Sequence, residues 1–212
     1  NGNFYVAAAA VFVAMVLDGL DGRVARLTNT QSAFGAEYDS LSDMVAFGVA
    51  PALLAFEWAL GSMGKVGWMV AFIYVAGAAL RLARFNTQIG VVDKKYFMGL
   101  ASPAAASIIA ATVWVWYDSA PVGVWAAAIA LLTAFAGLLM VSNFRYTSFK
   151  GMDFRGRVPF AFMLLVVLVF ASLIFYHQQG VLEIAVIYGL SWPVAWLYGQ
   201  LVGAGKVQKT GE

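Results

Sequence analysis

Long uninterrupted apolar runs set the pattern of this chain. Residues 96–117, 119–144 and 184–205 contain no Asp, Glu, Lys or Arg, and 158–182 hold only His177 as an ionisable group. A helix needs about 20 apolar residues to cross a bilayer, so each run is long enough to span. Shorter runs at 4–17, 44–56 and 66–80 complete further spans if their ends carry functional charges. The pattern predicts seven helices, at roughly 4–24, 37–60, 66–86, 102–117, 122–142, 158–177 and 181–202. The expected fold is an all-α polytopic membrane protein, one membrane domain over residues 1–212.

Composition agrees. Hydrophobic residues make up 62% of the chain and charged residues 11%, against about 25% charge in a soluble domain. Mean hydropathy is +0.80. Cysteine is absent, which excludes disulfides, thiol nucleophiles and Cys-ligated zinc, and a single histidine excludes a His-built zinc site. A net charge of +2 argues against a nucleic-acid partner. Trp58, Trp68, Trp114, Trp116, Tyr117 and Trp125 fall near one predicted interface, where an aromatic belt accounts for them.

The basic residues set the topology. Arg23 and Arg26, then Arg81, Arg84, Lys94 and Lys95, then Arg145, Lys150, Arg155 and Arg157, then Lys206 and Lys209 fall in alternate loops. Twelve of thirteen therefore share one side, Lys65 being the exception, and the positive-inside rule makes that side cytoplasmic. Seven spans with the C-terminus inside place Asn1 outside. A further helix is accordingly expected before it, making eight spans with both termini inside.

The acidic residues are concentrated. Asp18, Asp21, Glu37, Asp39 and Asp43 are five of the eleven acids in the chain. Asp18 and Asp21 are three apart at the end of the first span, and Asp39 and Asp43 four apart at the start of the second. Each pair shares a helix face. A carboxylate inside a span costs about 2.5–3.5 kcal/mol on insertion scales, so four in adjacent antiparallel helices need compensation. Pairing with Arg23 or Arg26 explains any one of them, but not four at this spacing. Four hard oxygen donors converging near the cytoplasmic interface suit Mg²⁺ or Mn²⁺, as a pair about 3.5–4 Å apart.

The residues between them narrow the chemistry. Gly22 and Ala25 keep one helix face thin enough for a nucleotide, and Arg26 offers a planar fork to a phosphate. Gly35 admits a ligand close to the backbone, or simply permits close helix packing. The pattern Asp18-x2-Asp21-Gly22-x2-Ala25-Arg26-x8-Gly35-x3-Asp39-x3-Asp43 resembles in full the signature of the CDP-alcohol phosphatidyltransferase family. That resemblance implies a phospholipid-synthesising enzyme in which an alcohol attacks the lipid-side phosphorus of a CDP-linked lipid and CMP leaves. Asp18, Asp21 and Asp39 would hold metal. Asp43 would reach the same metal site and act as general base. Asp18, Gly22, Ala25, Arg26 and Gly35 would bind the CDP-lipid.

Three further segments bear on the acceptor. Arg81-Leu82-Ala83-Arg84-Phe85-Asn86 closes the third span, Phe97 to Ala106 opens the fourth, and Ser142 to Lys150 follows the fifth. They resemble the bacterial and archaeal phosphatidylserine synthase branch of the family, with Ala101 where that branch has proline. The resemblance implies CDP-diacylglycerol and L-serine as substrates, a prokaryotic cytoplasmic membrane with the site facing the cytoplasm, and a homodimer formed by the later helices. Arg81, Arg84, Asn86, Arg145 and Lys150 are the candidates to grip serine, although the basic ones also suit lipid headgroups. Glycerol 3-phosphate or inositol remains an alternative acceptor. A cation transporter is the alternative outside the class, and a purely structural membrane scaffold leaves the motif unexplained.

Overall fold

The computed structural model describes residues 3–30, 32–88, 96–119, 121–143 and 145–147, with five isolated helical positions between Leu182 and Gly189. Helix α1 spans Phe4–Leu27 and α2 spans Ala33–Asp43. A π-helical turn, Met44–Val49, joins α2 without a break to α3, Ala50–Trp58. A 3₁₀ turn, Leu60–Met63, leads into α4, Lys65–Gln88. Helices α5, Ser102–Val115, and α6, Val124–Val141, complete the described bundle. Strand β1, Tyr96–Met98, precedes α5 and pairs antiparallel with β2, Arg145–Thr147, which follows α6, with Phe97 opposite Tyr146.

Four stretches are long and apolar enough to cross a membrane: Phe4–Gly22, Ala33–Trp58, Lys65–Thr87 and Val124–Val141. Helix α5 is shorter. Its 14 residues make about 21 Å, and it lies inside the bundle with Ala105, Ala106, Ile109, Ala110 and Ala111 buried. The first five expected helices are thus present, four of them long and apolar enough to span. The sixth, 158–177, lies outside the described residues, as does the seventh, 181–202, apart from the five helical positions. Of those, Ala185 joins the core, and a Cβ on Gly189 would stand 2.8 Å from Ile108 Cδ1 of α5.

Local chemistry sets the boundaries. Asn3 caps α1 by accepting from the Val6 amide at 3.3 Å, and Ser32 caps α2 by accepting from Gly35 at 3.0 Å. That serine explains why the second span begins at 33 rather than 37. Asn29, with φ of 53°, turns the chain between α1 and α2.

Two walls pack differently. Helices α4 and α6 meet through glycine: a Cβ on Gly77 would run into the Gly137 carbonyl oxygen, and one on Gly137 would stand 2.8 Å from Tyr74 Cα. This is the small-residue contact by which membrane helices approach closely. Helix α1 instead packs against the π turn, α3 and α5 through Ala8, Val11, Phe47, Trp58, Ala106 and Val113. Tyr5, Trp58, Trp114 and Tyr117 gather at the bundle end away from the acids. There Trp58 Nε1 donates to the Ser119 carbonyl at 2.8 Å, and Tyr5 stands edge-on to Trp114 and Tyr117.

Candidate active site

Helices α1 and α2 run antiparallel through one short turn, so the last turns of α1 face the first turns of α2. Three carboxylates converge there. Oxygens of Asp18, Asp21 and Asp39 all lie within 4.8 Å of one another. Ionised carboxylates that close repel by about 4 kcal/mol per pair at 4 Å in a near-surface dielectric, so the arrangement calls for cations. All the donors are hard oxygens, the set that suits Mg²⁺ or Mn²⁺.

Asp43 stands deeper. Asp18, Asp39 and Arg81 of α4 all lie close enough to act on its charge. Its Oδ1 is buried and has no hydrogen-bond partner among the described residues. A buried carboxylate oxygen left without a partner is costly, which fits a group awaiting a proton or a cation. Together with the three oxygens above it, this orphan atom makes the site suited to divalent metal.

The acids open into a cleft of about 860 Å³, large enough for a nucleotide diphosphate. Asp18, Asp21, Gly22, Ala25, Gly35, Asp39 and Asp43 all line it, seven of the eight motif positions. Arg26, the eighth, follows Ala25 in α1. Thr30, Ser32, Ser42 and Tyr38 add hydroxyls to the walls, and Ala14 and Ala46 form its apolar end. Tyr38 is a lining residue that sequence reasoning passed over, since a lone tyrosine near a span end reads as an interfacial anchor.

The five acceptor candidates separate. Arg81 is beside Asp43, and its Nη1 donates to Ser102 Oγ at 3.0 Å, at the start of α5. Asn86 Nδ2 donates to Ser40 Oγ at 3.1 Å, tying α4 to α2 next to Asp39. Arg84 turns the other way. Its Nη1 donates to the Val141 carbonyl and to Asn143 Oδ1, each at 3.1 Å, closing the C-terminus of α6. The backbone of Arg145 pairs with Met98 in the β1–β2 ladder, and Lys150 lies outside the described residues. Ser102 and Ser40, which hold Arg81 and Asn86, carry no recognisable signal in sequence.

Comparison with known proteins points the same way. The family model for CDP-alcohol phosphatidyltransferase matches residues 1–136. A CDP-diacylglycerol–serine O-phosphatidyltransferase of Helicobacter pylori (strain ATCC 700392 / 26695) is 38% identical over 204 residues, covering 92% of this chain and 81% of the relative. The protein of that name from Methanocaldococcus jannaschii is 36% identical over 144 residues, 68% of this chain and 65% of the relative. That of Saccharomyces cerevisiae is 38% identical over 135 residues, 57% of this chain and 48% of the relative.

Proposed function

Because the chain belongs to the CDP-alcohol phosphatidyltransferase family, we propose that it transfers the phosphatidyl group of CDP-diacylglycerol to the hydroxyl of L-serine, forming phosphatidylserine and releasing CMP. The observation that carries the reading is the cleft in which seven motif positions meet around the convergent carboxylates. Relatives named for this reaction, one of them matching over 92% of the chain, support serine as the acceptor.

Asp18, Asp21 and Asp39, with Asp43 behind them, would hold two divalent cations, Mg²⁺ or Mn²⁺. Such cations neutralise the diphosphate and stabilise the departing CMP. The chain's own groups do the rest. Gly22, Ala25 and Gly35 leave room for the nucleotide against the helix backbones, and Arg26 supplies a fork for phosphate. Asp43 accepts the proton of the serine hydroxyl as its oxygen attacks the lipid-side phosphorus in line with the leaving oxygen. Arg81, next to Asp43, is the cation best placed for the serine carboxylate. Arg84, committed to the end of α6, serves the scaffold.

The basic residues of the loops at this end orient it toward the cytoplasm of a prokaryotic inner membrane. A homodimer, as the family resemblance implies, would be the working assembly. Cation transport is the weaker reading. It calls for carboxylates near the bilayer midplane, whereas these four lie in the last turns of α1 and the second half of α2, a helix with no buried residue.

The test is an acceptor assay. Purified protein with CDP-diacylglycerol and a divalent cation receives labelled serine, glycerol 3-phosphate or inositol. Label enters lipid with serine, and CMP appears in equal amount. Lipid product from another acceptor and none from serine overturns the assignment.

A further inference from the structure

The helix that carries Asp39 and Asp43 does not continue regularly into the bundle. Immediately after Asp43 the backbone enters the π turn Met44–Val49, and the Ala50 amide donates to the Val45 carbonyl five residues back. A π turn adds one residue of winding, about 100° of rotation, between the segments on either side. The acids of α2 therefore face α1 while Ala52, Ala55 and Trp58 of α3 stay buried.

Pro51 follows directly, in the first turn of α3. The donor that an α-helix returns to the Phe47 carbonyl is the N–H of residue 51, and proline has none. Tyr74 of α4 supplies a donor from outside: its Oη donates to the Phe47 carbonyl at 3.2 Å, in a buried contact.

Tyr74 is itself held rigidly. It is wholly buried, and Gly137 of α6 lies directly against its backbone. On the same side of α4, Ala78 meets the π turn at Gly48, where an added Cβ would stand 3.1 Å away. Arg81 lies one turn further and faces Asp43. Tyr74, Ala78 and Arg81 are spaced i, i+4 and i+7, so one face of α4 supports the π turn and Asp43 together.

We propose that Tyr74 is a positioning residue for the reaction: its hydroxyl holds the π turn at Phe47 and so fixes the direction in which Asp43 enters the cleft. The proposal rests on Asp43 as the proton acceptor. Tyr74→Phe removes the hydroxyl and keeps the ring, so core packing survives while the turn loses its hold.

The test measures serine-dependent CMP release by the full chain in detergent, together with thermal stability, for wild type, Tyr74→Phe, Pro51→Ala and the double variant. Tyr74→Phe lowers kcat about 10- to 100-fold, as misplacement of a reacting group does, with KM for both substrates little changed. Pro51→Ala restores an N–H that can reach the Phe47 carbonyl, so adding Tyr74→Phe to it changes kcat by less than about twofold. Equal losses in both backgrounds, or a kcat for Tyr74→Phe within about twofold of wild type, overturn the proposal. If Tyr74→Phe alone does not fold, the double variant decides. Folded and as active as Pro51→Ala, it supports the proposal, and unfolded or inactive, it overturns it. Absence of CMP release from wild type with serine is a separate result, which removes the proposed function and this inference with it.

Discussion

Helix α2 buries none of its eleven residues, whereas α5 buries nine of its fourteen. Helix α2 and the start of α5 sit at the same end of the bundle, where Ser102 holds the arginine that acts on Asp43 at the end of α2. The difference separates their tasks. Helix α2 presents carboxylates, hydroxyls and a glycine to an open cleft, so its chemistry is free to meet a ligand. Helix α5, with α4 and α6 behind it, is close-packed, so it can hold a group in place but cannot admit one. An active site at a membrane boundary needs both.

Substitutions can break that division at different depths. The largest effect belongs on the open side. Asp43→Asn removes the proton acceptor and should lower CMP release by about 10²–10⁴-fold, with CDP-lipid binding largely intact. Near-normal turnover with tight binding would remove Asp43 from that role.

Arg81 and Arg84 sharpen the comparison, since they stand three residues apart on α4 and belong to different sides of it. Arg81→Ala should lower kcat/KM for serine about 10- to 100-fold, the loss of a charge-assisted contact. Arg84→Ala should instead cost about 1–2 kcal/mol of stability through the uncapped end of α6, with KM for serine nearly constant. A melting curve and a serine titration on each variant distinguish them, and identical behaviour would erase the distinction.

The smallest catalytic effect belongs to the close-packed wall. Gly137→Ala forces a Cβ to within 2.8 Å of the Tyr74 backbone and should destabilise by about 1–3 kcal/mol. Thermal unfolding in detergent checks this, and an unchanged melting temperature would contradict the α4–α6 contact.

Most of the open side was legible in the residues themselves. Carboxylates are so costly inside apolar spans that Asp18, Asp21, Asp39 and Asp43 stand out wherever they occur, and the spacing of Gly22, Ala25, Arg26 and Gly35 adds the shape of the ligand. The positions of the first five helices were legible for the same reason. The supporting side was not. A tyrosine within an apolar run reads as one more large side chain, and nothing in Tyr74 announces that its hydroxyl meets a carbonyl 27 residues earlier. Pro51 within a predicted helix was the available signal for an irregular turn. Arg84 looked like Arg81 in sequence because charge and spacing do not reveal which way a long side chain turns. The β1–β2 pair carries no signal in sequence, since three-residue strands leave no measurable alternation.

The central claim, that the carboxylates of α1 and α2 form a divalent-cation site on which transfer to serine depends, is tested most directly by metal removal. Protein freed of metal with EDTA should release no CMP. Activity should return with Mg²⁺ or Mn²⁺, and Mn²⁺ bound to wild type should be visible by electron paramagnetic resonance and lost in Asp18→Asn. Undiminished turnover in excess EDTA would contradict the claim.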